Sequence, residues 1–238
     1  MKRLVVALVL LVTLLVGWYF LVPGDWLLPV FAPAPAPEKS APAVVIPPGL
    51  FAPGPEVTMP GGATRPTVVV GGKTWTTVNA TVTDCPGLRF ADGAEIGPNV
   101  EFYDTAARYG YYDDKPENGF GVVYTHKAVR TCDLCPEGFG VATRADWEAL
   151  FAALGTAADR GKLIMRRHGS PFAAGLGGRV DSYGSNHAGS IEFWWALDQA
   201  EAPGDRIAAW GPELKYRGEV LMRAQDQRTA NYVRCVKK

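Results

Sequence analysis

The hydrophobic and polar positions of this chain change pattern three times. From Leu4 to Val22 the run LVVALVLLVTLLVGWYFLV is apolar and uncharged, with Lys2 and Arg3 ahead of it. A helix over it would reach about 29 Å, the thickness of a bilayer core. Trp18, Tyr19 and Trp26 lie near its far end, where amphipathic rings favour the interface, and the basic pair favours the cytoplasmic side. Residues 1–28 therefore predict a cytoplasmic stub and a transmembrane signal-anchor, with the remainder extracytoplasmic. A cleaved signal peptide competes with this reading, but the only small-residue site nearby, Ala32-Pro33-Ala34, is crowded by prolines.

The second regime, residues 29–66, alternates Ala and Pro without helical or strand period. Proline lacks the N–H and fixes φ, so this stretch reads as a linker. In polyproline II it would extend on the order of 100 Å.

The third regime, residues 67–160, begins with VVVGGKTWTTVNATV, β-branched residues around a Gly-Gly turn, which predicts a hairpin. Residues 84–121 show little periodicity and many Gly, Pro, Asp and Tyr, so loops are expected there. VVYTHKAVRT (122–131) is a candidate short helix. TRADWEALFAALG (143–155) is a stronger one: Thr143 caps, Asp146 suits the positive helix end, and Trp147, Leu150, Phe151 and Leu154 share a face. Gly155 supplies the stop.

Past residue 160 the helical period disappears and short strand candidates recur at Lys162–Arg166, Ile191–Leu197, Ile207–Trp210, Glu219–Arg223 and Tyr232–Lys237. Helices early and strands late describe an α+β domain over residues 67–238.

Composition narrows the function. The 238 residues carry 24 basic and 24 acidic side chains, so no net charge drives binding to nucleic acid. The four cysteines, Cys85, Cys132, Cys135 and Cys235, allow three disulfide connectivities. The Cys132-x-x-Cys135 spacing also raises redox and metal readings. A thioredoxin-like site needs a helix start beside a βαβ unit, whereas Pro136 and Gly138 follow here. Structural zinc needs a second close ligand pair, which neither the other cysteines nor His126, His168 and His187 provide. Structural disulfides are the preferred reading, and no metal or cofactor is expected.

Catalytic signals are weak. Asp181, His187 and Ser190 contain the residue types of a triad, but no nucleophile-elbow pattern accompanies them. GLGG (175–178) is too short to cradle phosphate. KPEN (115–118) does not supply the amide and carboxylate order of calcium-dependent sugar binding. The expectation is a protein that is not an enzyme.

Several stretches together resemble one family. CPEGFGVATRADWEALF (135–151), the upstream GFGVVYTHKAV, the opening GGKTWTTVNATV with Asn79, GSIEFWWALDQ, and the closing YVRCVKK are similar to the Fibrobacter succinogenes major paralogous domain family. The resemblance covers about residues 67–238; residues 84–120 and 199–230 match least. It implies a C-type-lectin-like fold, with two helices, a small antiparallel sheet and long loops, on an exported and often surface-anchored protein. It also implies a Cys135–Cys235 bridge, which leaves Cys85 to pair with Cys132; the rivals join Cys132 to Cys135, or interlace the two loops.

Trp194 and Trp195 should point to opposite faces of a strand, one into the core and one free to be exposed. Trp195, Trp210 and Tyr216, with Tyr111 and Tyr112 from the loop segment, are the candidate ligand-binding residues. The expected function is a membrane-anchored, surface-exposed binding or adhesion module for a protein or glycan ligand. The alternatives are a structural component of an envelope assembly and, third, an envelope hydrolase or oxidoreductase.

Overall fold

The Gly-Gly hairpin forms where the sequence places it. Thr67–Val70 pairs antiparallel with Lys73–Thr76, Val70 opposite Lys73. The two turn residues, Gly71 (φ 60°) and Gly72 (φ 72°), adopt the left-handed conformation that a tight two-residue hairpin requires. This computed structural model describes residues 44–91, 107–181, 184–201, 208–227 and 229–238. The expected membrane anchor, the linker as far as Ala43, and residues 92–106 and 202–207 of the least-matching segments lie outside the described residues. Among the described residues no helix is long and apolar enough to cross a membrane.

The hairpin belongs to a five-stranded antiparallel sheet in the order Ala52–Pro53, Thr67–Val70, Lys73–Thr76, Cys235–Lys237, Phe139–Val141. A six-stranded sheet runs Gly184–Asn186, Arg179–Asp181, Ala230–Asn231, Val123–Thr125, Arg108–Gly110, Arg89–Phe90, and only its last pairing is parallel. In a third sheet the long strand Ala208–Lys215 pairs with Ile191–Phe193, Gln199–Ala200 and Val220–Asp226. The fold is α+β, with few helices and mostly antiparallel sheets.

Helix α1, His126–Thr131, is shorter than the sequence suggests, because Val123–Thr125 ahead of it is a buried strand. Helix α2, Arg144–Ala153, follows the expected pattern. Thr143 Oγ1 accepts from the Asp146 N–H (3.2 Å) and Asp146 Oδ2 accepts from the Thr143 N–H (2.8 Å), a reciprocal cap. Trp147, Leu150, Phe151 and Leu154 are all buried, and Gly155 (φ 86°) follows the last turn.

One expectation is corrected. Lys162–Arg166 is not a strand; 3-10 turns occupy Arg160–Ile164 and Arg166–His168. Ile164 and Met165, adjacent in sequence, are both buried, which a strand with one buried face does not allow. The described compact unit takes in residues 44–66 as well. Ala52–Pro53 adds an edge strand beside Val68–Val69, a position that tolerates proline, and Met59 is buried beyond it.

The cysteines pair as Cys85–Cys132 and Cys135–Cys235. The C-x-x-C pair is therefore split between two bridges. Cys135–Cys235 ties the segment before α2 to a strand in the interior of the five-stranded sheet.

Candidate functional site

The site begins with two consecutive tryptophans. Trp194 joins a stack of rings with Trp147 (5.1 Å), which in turn meets Trp75 (5.0 Å), in the larger hydrophobic cluster. Trp195 points the other way, into a second cluster, edge-on to His126 at 5.2 Å. Both are fully buried, and each indole N–H is used. Trp195 Nε1 donates to the Tyr124 carbonyl (2.7 Å), and Trp194 Nε1 donates to Asn79 Oδ1 (3.0 Å).

Asn79 is the centre of a buried polar network. Its Nδ2 donates to the Phe120 carbonyl (3.0 Å) and to Glu192 Oε1 (3.1 Å), while Glu192 Oε2 accepts from the Gly177 N–H. Tyr232 Oη donates to the Gly177 carbonyl (3.0 Å), fixing that glycine from its other side. A Cβ at Gly177 would meet Tyr232 Oη at 2.6 Å, so the approach depends on glycine. Burial raises the Glu192 pKa; the Gly177 N–H, the Asn79 amide and the charges of Arg234 and Arg166 oppose that rise.

Arg234 is equally buried, at 1% exposure. Its Nη1 donates to the carbonyls of Thr76 (3.0 Å) and Phe172 (3.1 Å), and its guanidinium sits 4.7 Å from the Phe172 ring centre. Its Nε is buried with no hydrogen-bond partner among the described residues. Burial, with Arg166 adding to it and Glu192 opposing it, pulls its pKa down to about 10.

Beside this network opens a cleft of about 270 Å³. Arg65, Arg166 and Arg234 line it together with Asn79, Phe120 and Gly175. Among the described residues no Asp or Glu lines it. Arg65 and Arg166 are exposed and make no side-chain hydrogen bond or ion pair among the described residues. The rim carries Phe120, whose ring meets Tyr112 edge-on at 6.3 Å. A wider depression of about 500 Å³ near Asp159 and Glu219 is chemically quieter, since those carboxylates already pair with Lys162 and Lys215.

The aromatic platform expected from sequence does not assemble. Trp195 is inside the protein, because packing covers both faces of its segment, so it presents no surface to a ligand. Trp210, partly buried, and Tyr216, exposed, lie against separate arginines, Arg144 at 3.9 Å and Arg167 at 3.6 Å from the ring centres. Tyr111 instead groups with Tyr109 (6.2 Å) and the exposed Phe90 (6.3 Å). Only Tyr112 reaches the edge of the cleft, through Phe120.

The hydrolytic candidates are also placed apart from one another's chemistry. Ser190 Oγ donates to the His187 main-chain carbonyl (2.8 Å), and Asp181 pairs with Arg179 (3.0 Å). His126 is buried with Nε2 3.1 Å from the Ala196 carbonyl. Among the described residues no group of three His, Cys, Asp or Glu side chains stands at metal-binding distance.

Sequence reading passed over Arg65, Arg166, Glu192 and Arg234. For two of them a signal was present: Glu192 in IEFWW and Arg234 in YVRCV are single charges inside apolar strand-like runs. Such a charge is either on a solvated face or held by a buried network. Here both are buried.

No curated protein and no solved structure matches the chain. The family model described as the Fibrobacter succinogenes major domain matches residues 68–237, which run from the first strand of the glycine hairpin to the last described strand and include all four cysteines. By that match, and by the motifs from GGKTW to YVRCV whose buried roles are now visible, the chain belongs to the Fibrobacter succinogenes major domain family.

Proposed function

We propose that this protein is a tethered extracytoplasmic binding module, non-catalytic, with a C-type-lectin-like domain that captures a ligand in the arginine-lined cleft. The observation that carries the reading is the cleft itself: three arginines converge on it, two with no partner among the described residues, beside a buried and hydrogen-bonded network. Preorganised polar groups around a concavity are what a recognition site requires.

The remaining parts fit a tether. The apolar run from Leu4 to Val22 would hold the chain in a membrane, and the Ala/Pro stretch would project the domain. Two disulfides suit an oxidising compartment. Val236 lies opposite Trp75, which brings the two ends of the domain together as the lectin-like reading expects.

The test uses the full chain in membranes. Protease added to the extracytoplasmic side should remove the domain from intact cells or spheroplasts. The chain, extracted in mild detergent, should capture a defined subset of a glycan and peptide array. A domain accessible only from the cytoplasmic side, or an array with no captured compound, would overturn the reading.

A further inference from the structure

We infer that the cleft is a receptor for a carboxylate-bearing sugar unit, a uronic acid presented on a glycan. This rests on the binding-module reading and names its ligand class.

The charge balance points to an anion. Arg65, Arg166 and Arg234 line the cleft, and among the described residues no carboxylate does. The nearest buried acid, Glu192, has both oxygens engaged, one by the Asn79 amide and one by the Gly177 N–H. It makes no ion pair within 4 Å with Arg234 or Arg166 among the described residues. Glu192 therefore tempers the field without occupying the cleft.

Arg234 supplies the second, independent observation. A guanidinium carries five donors, and leaving one buried without an acceptor is costly. Nη1 is committed to two main-chain carbonyls, whereas Nε is buried with no acceptor among the described residues. Because those carbonyls and Phe172 fix Arg234, its positive charge is held at the cleft wall before any ligand arrives. Planar arginine forks match carboxylate oxygens two at a time. Arg65 and Arg166, exposed and unpaired, are placed to complete the grip.

The rest of the cleft selects a sugar over a bare ion. Its volume of about 270 Å³ equals roughly nine waters at ~30 Å³ each, room for one ring. Phe120, braced by Tyr112, offers an aromatic face to the C–H side of a pyranose. Gly119, Gly121 and Gly175 leave main chain on the wall, where sugar hydroxyls find polar partners.

The experiment is calorimetric titration of the full chain in detergent with galacturonate, glucuronate and mannuronate trimers. Their methyl esters, a neutral galactose trimer, inorganic phosphate and a short peptide with a free C-terminus complete the panel. Arg65→Gln and Arg166→Gln are the test variants, since both side chains are exposed and a thermal melt verifies their folding.

At least one uronate trimer should bind, with its methyl ester and the neutral trimer at least tenfold weaker. Each variant should lose at least tenfold with an unchanged melt, and affinity should fall with added salt. Equal binding of ester and acid, or unchanged affinity in both variants, overturns the inference. So does preference for phosphate or the peptide. If only neutral glycans bind, the module stands and the uronate assignment falls. If the array and the panel both yield nothing, the module reading falls with it.

Discussion

Trp194 and Trp195 are neighbours in the chain and lie in different hydrophobic clusters, each with its indole N–H bonded to a different partner. One segment thus joins the two halves of the interior. Trp195→Ala should cost about 3–5 kcal/mol, the usual range for emptying a buried aromatic site. Trp210→Ala, at a ring only partly buried under Arg144, should cost much less. Denaturant unfolding of the two variants checks the ranking; equal losses would contradict the placement of Trp195.

Glu192→Gln should destabilise although it is nearly isosteric and removes a buried charge. Both carboxylate oxygens accept, from Asn79 and from Gly177, so a glutamine must turn its NH₂ toward one of these donors. The expected loss is about 1–3 kcal/mol, the cost of unmatched buried polar groups. Urea midpoints of the wild type and variant measure it, and a more stable variant would show that desolvation of the charge dominates instead.

Acid should act on Asp146. Burial pushes its carboxyl up, but hydrogen bonds from Lys73, Thr143 and Lys238 together win and hold it well below the usual carboxylate range. A depressed folded-state pKa means that its stabilisation is complete above the unfolded value, about 3.9, and is lost as pH falls toward the folded value. Asp146→Asn should cost about 1–2 kcal/mol at pH 7, since it weakens a helix cap and two half-exposed lysine contacts. The gap to wild type should narrow progressively below pH 4, read from chemical unfolding at several pH values. A gap that stays constant down to pH 2 would refute the assignment.

The two disulfides should be nearly equal in stability and unequal in effect on the cleft. They span 47 and 100 residues. Chain entropy assigns them about 4 and about 4.7 kcal/mol respectively. Cys235 is adjacent to Arg234, whereas Cys132 belongs to the second cluster, against which Cys85 and Cys135 both pack. Paired Cys→Ala substitution of Cys135 and Cys235 should therefore perturb the environment of Arg234, seen as changed near-ultraviolet signals from Trp194 and Trp75. The Cys85/Cys132 pair should leave those signals close to wild type.

The contrast between what was legible and what was not follows from sequence distance. α2 and the glycine hairpin are local objects: a cap, a 3.6-residue stripe and two glycines in a row specify them without outside help. The Lys162–Arg166 segment misled because three apolar residues in succession carry no period. The edge strand Ala52–Pro53 gave no signal, because proline excludes a central strand but not an edge. The cleft could not be assembled from the sequence, since Arg65, Arg166 and Arg234 come from three distant segments. Family resemblance put Asn79 in view, yet its partners Trp194 and Glu192 are 115 and 113 residues away.

The position of Cys235–Lys237 between Lys73–Thr76 and Phe139–Val141 has a consequence for biosynthesis. A chain that emerges from its N-terminal side presents the hairpin with an open edge until residue 235 has arrived. Cys135 must wait for the same event, while Cys85 and Cys132 are already available to each other. Early closure of Cys85–Cys132 removes the partner with which Cys135 would form a short wrong bridge. Chains truncated before Cys235 and allowed to oxidise should thus carry one disulfide and one free thiol, and trapping that thiol would show that the order of oxidation follows the order of emergence.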